Sequence, residues 1–447
     1  MICTIRPGEF SSIGCTFFEL PANSPVNRGS KFTININTQM NYWLAELTDL
    51  PETLRPLWDL LKRSHDKGID TAKRMYGCPG YVTHHNLDLW GDGAPHDNGT
   101  AYSVWPSSSL WLSQHLLEHY RFTGNRAFLQ NIAWPLLKDL AAFLDCYLFE
   151  ADGYLTAGPS TSPENQFYIP ADGTTAGSRE AIDISTTMDN SLIRQFSADL
   201  TEAASVLGVD TQSDAVLSKA TKLGSAVRPS QIGSFGQIKG WRFDYQETTV
   251  GHTHLSPLVD LYPGRSMTPL VNSSLATAAG VSLDRRLGAS GGAQNGWART
   301  WAAAGYARLL DGTKAWNNIR ILLQRHPLGN LFHEITRGSA FQADSNYGIV
   351  AAVAETLLQS QAGVVHLLPA LKGGQIRAGS VRGLVARGGF VVDLSWKDDG
   401  SLKVATIRSR RGGRLKLRVA DGASFKINGA IASEVDTTAG GTYTVSL

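Results

Sequence analysis

The 447-residue chain carries little excess charge of either sign: 41 Lys and Arg face 39 Asp and Glu, a formal net of +2. That balance leaves no electrostatic case for nucleic acid as a partner. One basic cluster near the end, Arg408, Arg410, Arg411, Arg414 and Lys416, reads as a solvated strand face. No apolar run approaches the roughly 20 residues that span a membrane, so no membrane partner is expected. The N-terminus lacks a basic stretch followed by an apolar one, and no signal peptide is visible. Cysteine is scarce. Cys3, Cys15, Cys78 and Cys146 show neither metal-ligand spacing nor a dense disulfide framework, and one or two bridges stay open. The sequons at Asn98 and Asn272 are weak signals. No fixed repeat is present, which argues against a solenoid.

What is present has globular proportions, 18% charged and 42% hydrophobic, over a length that suggests one large domain and a small one. The eleven Trp residues exceed ordinary usage. Most are core filler, and a few can line a carbohydrate site. From about residue 42 to 365 apolar residues recur at helical spacing. Pro51 opens one helix, Ser107–Ser109 cap another that stops near Gly124, and 126–149 follows with a break near Pro135. Thr186 or Thr187 caps 188–207. Further helices are expected over 212–225, 267–278, 296–310, 313–325 and 347–361. The intervening stretches 77–106, 151–183 and 228–265 are long for connectors, and long loops on a rigid scaffold carry function. A closed α/α toroid fits this pattern. After about residue 366, period-two segments separated by Asp399-Gly400, Asp421-Gly422 and Asn428-Gly429 predict a small antiparallel β domain.

Five constellations carry candidate chemistry, each with a plainer reading beside it. Glu164, held by Pro163 in Ser160-Thr-Ser-Pro-Glu-Asn165, is a candidate acid or a solvated loop charge. Thr33, Asn35, Asn37, Gln39 and Asn41 share one face if the segment is extended, which suits sugar hydroxyls and a held water; the plainer reading is an Asn-rich turn. Asp344 is a candidate base or the N-cap of the helix after it. His84-His-Asn-Leu-Asp88 with Trp90, and His252-Thr-His254, offer sugar contacts or core histidines. A metal at His252-Thr-His254 needs a third ligand that nothing in the sequence names.

The ordered motifs Asn35-Ile-Asn-Thr-Gln-Met-Asn-Tyr-Trp43, His84-His-Asn-Leu-Asp-Leu-Trp-Gly-Asp92, Pro159-Ser-Thr-Ser-Pro-Glu-Asn165, Gly251-His-Thr-His254, Gly296-Trp-Ala-Arg-Thr-Trp301 and Gln342-Ala-Asp-Ser-Asn-Tyr-Gly348 resemble glycoside hydrolase family 95, the inverting α-L-fucosidases. The resemblance runs from about residue 21 to the C-terminus. It implies a mainly α fold: a six-hairpin (α/α)6 barrel over 31–365, a β domain over 366–447 and a poorly matched connector remnant over 1–30. The N-terminal β-sandwich of the family is absent from this sequence, so a truncated form is expected.

The resemblance further implies Glu164 as general acid with a raised pKa. It implies a water held by Asn35 and Asn37, and Asp344 as the proton sink acting through Asn37. Thr33, His85, Asn86, Trp90, Trp105, His252 and His254 are the implied substrate-binding residues. The partner is a fucosylated glycan or plant wall polysaccharide, with α-1,2-linked terminal fucose expected and no cofactor or metal required. An extracellular location is implied. Thr253 stands where the family often has arginine, and Ser345 replaces a usual glycine. Thr33, small beside the site near C6 of the sugar, leaves room for a hydroxymethyl group and brings in an α-L-galactosidase as the alternative. A truncated, inactive sugar-binding relative is the reading from a different class.

Overall fold

The computed structural model describes residues 31–95, 99–170, 177–335, 341–374 and 376–447. The expected connector over 1–30, Cys3, Cys15 and Asn98 lie outside them. Among the described residues nine longer helices form: α1 (Asn37–Leu47), α2 (Arg55–Thr71), α3 (Ser108–Thr123), α4 (Trp134–Tyr147), α5 (Thr187–Leu207), α6 (Ser273–Gly288), α7 (Gly296–Arg308), α8 (Gly312–Arg325) and α9 (Ala343–Leu357). Their starts follow local chemistry. The Thr186 hydroxyl accepts from Asp189 N–H, Asn295 accepts from Ala298 N–H and Asp311 accepts from Lys314 N–H.

α1, α3, α5, α7 and α9 form an inner ring. α1 packs on α9 and α3, α3 on α5, and α7 on α9. The irregular segment 255–264 closes it. Gln195 of α5 donates to Asp260 Oδ1 (2.6 Å), while Trp301 and Arg308 of α7 donate to the carbonyls of Tyr262 (2.8 Å) and Gly264 (2.7 Å). The ring encloses an aromatic core of Trp43, Trp111, Trp301 and Tyr262. One glycine is required for its closeness: a Cβ on Gly348 of α9 would meet Met40 Cγ at 2.6 Å and Thr300 Cγ2 at 2.8 Å. The bridge left open by the sequence is Cys78–Cys146, which ties the chain just beyond α2 to α4.

The C-terminal sheet pairs β-strands Gly379–Ala386, Phe390–Trp396, Leu402–Ser409 and Thr442–Ser446 antiparallel, in that spatial order. A second sheet holds Gly413–Val419 between Glu434–Thr437 and Val365–Leu367, the last pair being parallel. The basic cluster is partly engaged: Arg410 meets Asp49, and Arg414 meets Glu434 and Asp436.

Three expectations need correction. The helix placed at 267–278 begins at Ser273 because Asn272 caps it, accepting from Leu275 N–H. The 212–225 segment splits into a 3-10 turn and two short helices, with Asp214 as an interior cap. The last helix starts at Ala343 rather than 347 and stops at Leu357, where Leu358–Gln359 pairs with His366–Leu367. Of the two readings of the carboxamide segment the turn holds, with only Phe32–Thr33 extended. Thr38 and Gln39 donate to the carbonyls of Thr33 and Ile34, and this turn starts α1 at Asn37.

Candidate active site

Asn35 and Asn37 therefore reach the site from a turn and from the first turn of a helix, not from one strand face. They diverge. Asn37 Nδ2 donates in a short hydrogen bond to Asp344 Oδ2, across 307 residues of sequence. Asp344 lies in the first turn of α9 and is 1% exposed. It is not the N-cap; Gln342 holds that place without a side-chain bond to its own helix, and its Oε1 accepts from Trp297 N–H at 2.8 Å. Ser345, in the place of the usual glycine, fits a helical backbone and contacts His333 Nδ1 at 2.7 Å. Nothing in the sequence linked His333 to Ser345.

Asn35 serves the other carboxylate. Its Nδ2 lies 2.9 Å from Glu164 Oε1 and 2.5 Å from His85 Nε2. His85 Nε2 is itself 3.2 Å from Glu164 Oε1, and His254 Nε2 is 3.4 Å from Glu164 Oε2. Glu164 sits at the third position of a turn closed by Asn165 N–H donating to Ser162 O (2.9 Å), with Pro163 before it and φ of +33°. A non-glycine residue there carries backbone strain of order 1 kcal/mol.

Burial pushes the Glu164 carboxyl up, but the charge and hydrogen bond of His254, and then those of His85, outweigh it and hold the group well below its ordinary value. The expected upward shift is thereby overturned. Its cause was invisible in the sequence, where the two histidines stand far to either side of Glu164.

The remaining candidates divide. His85 is 2% and His254 3% exposed, and His254 packs edge-on against Trp297 at 4.9 Å. Thr33 is half-buried and pairs with Asn86 across the short β-ladder. Trp105 is wholly buried, donates to Asp189 Oδ1 (3.2 Å) and lies edge-on to His85 at 6.5 Å, so it backs the site. Trp90 stands 70% exposed in a loop pinned by Asp88. His252 Nε2 contacts the Glu164 carbonyl at 3.1 Å, and its Nδ1 accepts from His254 N–H at 3.1 Å. With both ring nitrogens engaged by backbone, His252 is not placed as a metal ligand. Among the described residues no cluster of three or more His, Cys, Asp or Glu has the arrangement of a metal site.

Asn41, one turn after Asn37 in α1, was grouped with it in the sequence. Both of its amide atoms are buried without a protein hydrogen-bond partner, as are Asn35 Oδ1, His85 Nδ1 and His254 Nδ1. Buried polar atoms left this way cluster where a polar ligand completes them.

Residues 23–357 match the model of the glycosyl hydrolase family 95 catalytic domain, and 359–446 match that of the glycoside hydrolase family 95 C-terminal domain. The chain is 34% identical over 374 residues to alpha-L-fucosidase 2 of Arabidopsis thaliana, covering 82% of this chain and 43% of that protein. It is 30% identical over 401 residues to a protein of Aspergillus niger named as an alpha-fucosidase A, covering 84% and 48%. The chain thus spans less than half the length of these relatives. A solved structure named as a kojibiose phosphorylase from the human microbiome superposes with a TM-score of 0.57 at 10% identity, over 89% of this chain and 60% of that one, a likeness of fold alone.

Proposed function

The chain belongs to glycoside hydrolase family 95, and from that premise we propose that it hydrolyses terminal α-L-fucosides, α-1,2-linked on a glycan or wall polysaccharide, with inversion of the anomeric centre. The observation that carries this reading is the division of the two asparagines, one to each carboxylate.

Inversion by single displacement needs a proton donor on the leaving-group side and a base for water on the other. Glu164 takes the first role. His254 and His85 face its two oxygens, so the carboxyl that passes its proton to the leaving oxygen is held from both sides. Asn37 takes the second role as the holder of water. An amide is not a base at neutral pH, so the proton released by the attacking water goes to Asp344, whose carboxylate polarises the Asn37 amide. Asn35 fixes Glu164 and His85 against each other and presents its free Oδ1 to the site.

An α-L-galactosidase is the second reading, favoured by the small Thr33 beside Asn86. The test is anomer-resolved proton NMR of the first product on a fucoside and an L-galactoside, with Glu164→Gln beside the parent chain. Inverted product and loss of turnover on a basic leaving group are expected. Retained configuration, or undiminished turnover by the variant, overturns the scheme, and faster L-galactoside turnover changes the substrate.

A further inference from the structure

We propose that His252 is a positioning residue for the proton donor: its ring ties the backbone of Glu164 to the backbone of His254 and offers the sugar no hydrogen bond. This rests on Glu164 being the acid, and it replaces the substrate-binding role that the family resemblance implied for His252.

The turn around Glu164 needs such a tie. Its φ of +33° is a conformation that suits Gly or Asn at the third position of a turn, and the local chain supplies one hydrogen bond, Asn165 N–H to Ser162 O. Strained backbone at a functional residue persists only where the surroundings hold it. Two side chains from the 252–256 segment do so. Ser256 Oγ donates to Pro163 O at 3.4 Å, and His252 Nε2 donates to the carbonyl of Glu164 itself at 3.1 Å.

The second nitrogen fixes the tautomer. His252 Nδ1 accepts from His254 N–H at 3.1 Å, so the proton of the neutral ring must sit on Nε2. A doubly protonated ring would lose that acceptor. Burial first, then the charges of His254 and Arg286, push this imidazole down to about 3, which keeps it neutral. One ring therefore sets both halves of a contact. It holds the acid in its strained turn, and it holds the backbone from which His254 Nε2 reaches Glu164 Oε2 at 3.4 Å. Stacking of the two imidazoles, 5.5 Å apart and 30° between planes, completes the unit.

The experiment compares the parent chain, His252→Leu, His252→Gln and Glu164→Gln on aryl and alkyl α-L-fucosides of graded leaving-group basicity. Misplacing a catalytic group by about 1 Å costs on the order of a hundredfold. His252→Leu is expected to lower kcat by about that factor on an alkyl fucoside, with KM nearly unchanged. The loss should shrink to under about tenfold on a dinitrophenyl fucoside, whose departure needs no proton. His252→Gln keeps an N–H donor and should recover most of the loss. A KM rise at constant kcat, or an equal loss across leaving groups, overturns the proposal.

Glu164→Gln separates the two readings. If that variant lacks leaving-group dependence, the acid assignment falls. If it has it and His252→Leu does not, only the positioning role falls. Should His252→Leu fail to fold, long-range proton–nitrogen spectra of the parent decide. An Nε2–H tautomer unchanged from about pH 5 to pH 8 is expected, and titration of His252 within that range overturns the inference.

Discussion

Asn37, Trp297 and Asp344 lie in the first turns of α1, α7 and α9, while Glu46, Arg308 and Glu355 lie in or near the last turns of the same three helices. Both ends of the ring are thus polar and largely buried, yet they differ in how fully their groups are paired. At the closing end Arg308 meets Glu355 through two bonds of 2.5 and 2.9 Å, Glu46 meets His119, and Arg121 bridges Glu118, Asp199 and Glu202. Arg387 reaches in from the C-terminal β region to Glu118. At the opening end Asn35, His85 and His254, which meet the Glu164 carboxylate, each leave one buried atom without a protein partner. At the closing end the carboxylates and guanidiniums meet one another, with Arg387 Nε left over, and paired charges hold a structure together, whereas unpartnered polar atoms are what a substrate can complete. Charge content alone would have pointed to the closing end.

The comparison breaks most visibly if the opening end proves structural. Asp344→Asn keeps an acceptor for Asn37 but removes the proton sink, and turnover is expected to fall by about 10²–10⁴-fold with little change in melting temperature. Steady-state kinetics beside thermal unfolding check it; a large drop in melting temperature would mean that the carboxylate holds the ring together. The mirror test is Glu355→Leu. It strands the Arg308 guanidinium, whose side chain is 1% exposed, and should cost about 3–5 kcal/mol in urea unfolding while the folded protein keeps its turnover.

Gly348→Ala probes the packing between the two ends. The added methyl meets Met40 and Thr300, so a loss of about 1–3 kcal/mol is expected, with a fall in kcat as α1 and α9 part. The smallest effect is pH dependence at the closing end. Burial pushes the Glu118 carboxyl up, but Arg387 and Arg121 outweigh it and hold it at about 2. A carboxyl lowered on folding contributes stability that is complete above its unfolded value, near 4.3, and is lost as pH falls toward 2. The urea midpoint should decline over that window, and less so in Glu118→Gln.

Much of this was legible in the sequence, for local reasons. Apolar spacing marked α3, α5 and α8 because one face of each enters a single core, and α7 because it is buried all round. Pro163 before Glu164 marked a fixed turn. For Thr33 through Asn41 the sequence left an extended face and an Asn-rich turn open, and two local hydrogen bonds, from Thr38 and Gln39, decide for the turn. The ties that define the site were beyond reach. Asn37 and Asp344 are 307 residues apart, and Asn35 and Glu164 are 129 apart. Only the closed ring brings them together. For the same reason the direction of the Glu164 shift had to come from its two histidine neighbours.

The place of each carboxylate in its local element has an electrostatic consequence. Asp344 occupies the first turn of a fifteen-residue helix, where the partial positive charge of the helix start favours an anion by roughly 0.3–1 kcal/mol. Glu164 sits in a turn between short strands, with no helix axis behind it. The backbone itself thus favours ionisation of the residue assigned to take up a proton and gives no such help to the residue assigned to supply one, so the polarity of the site is written into the direction of α9 as well as into its side chains.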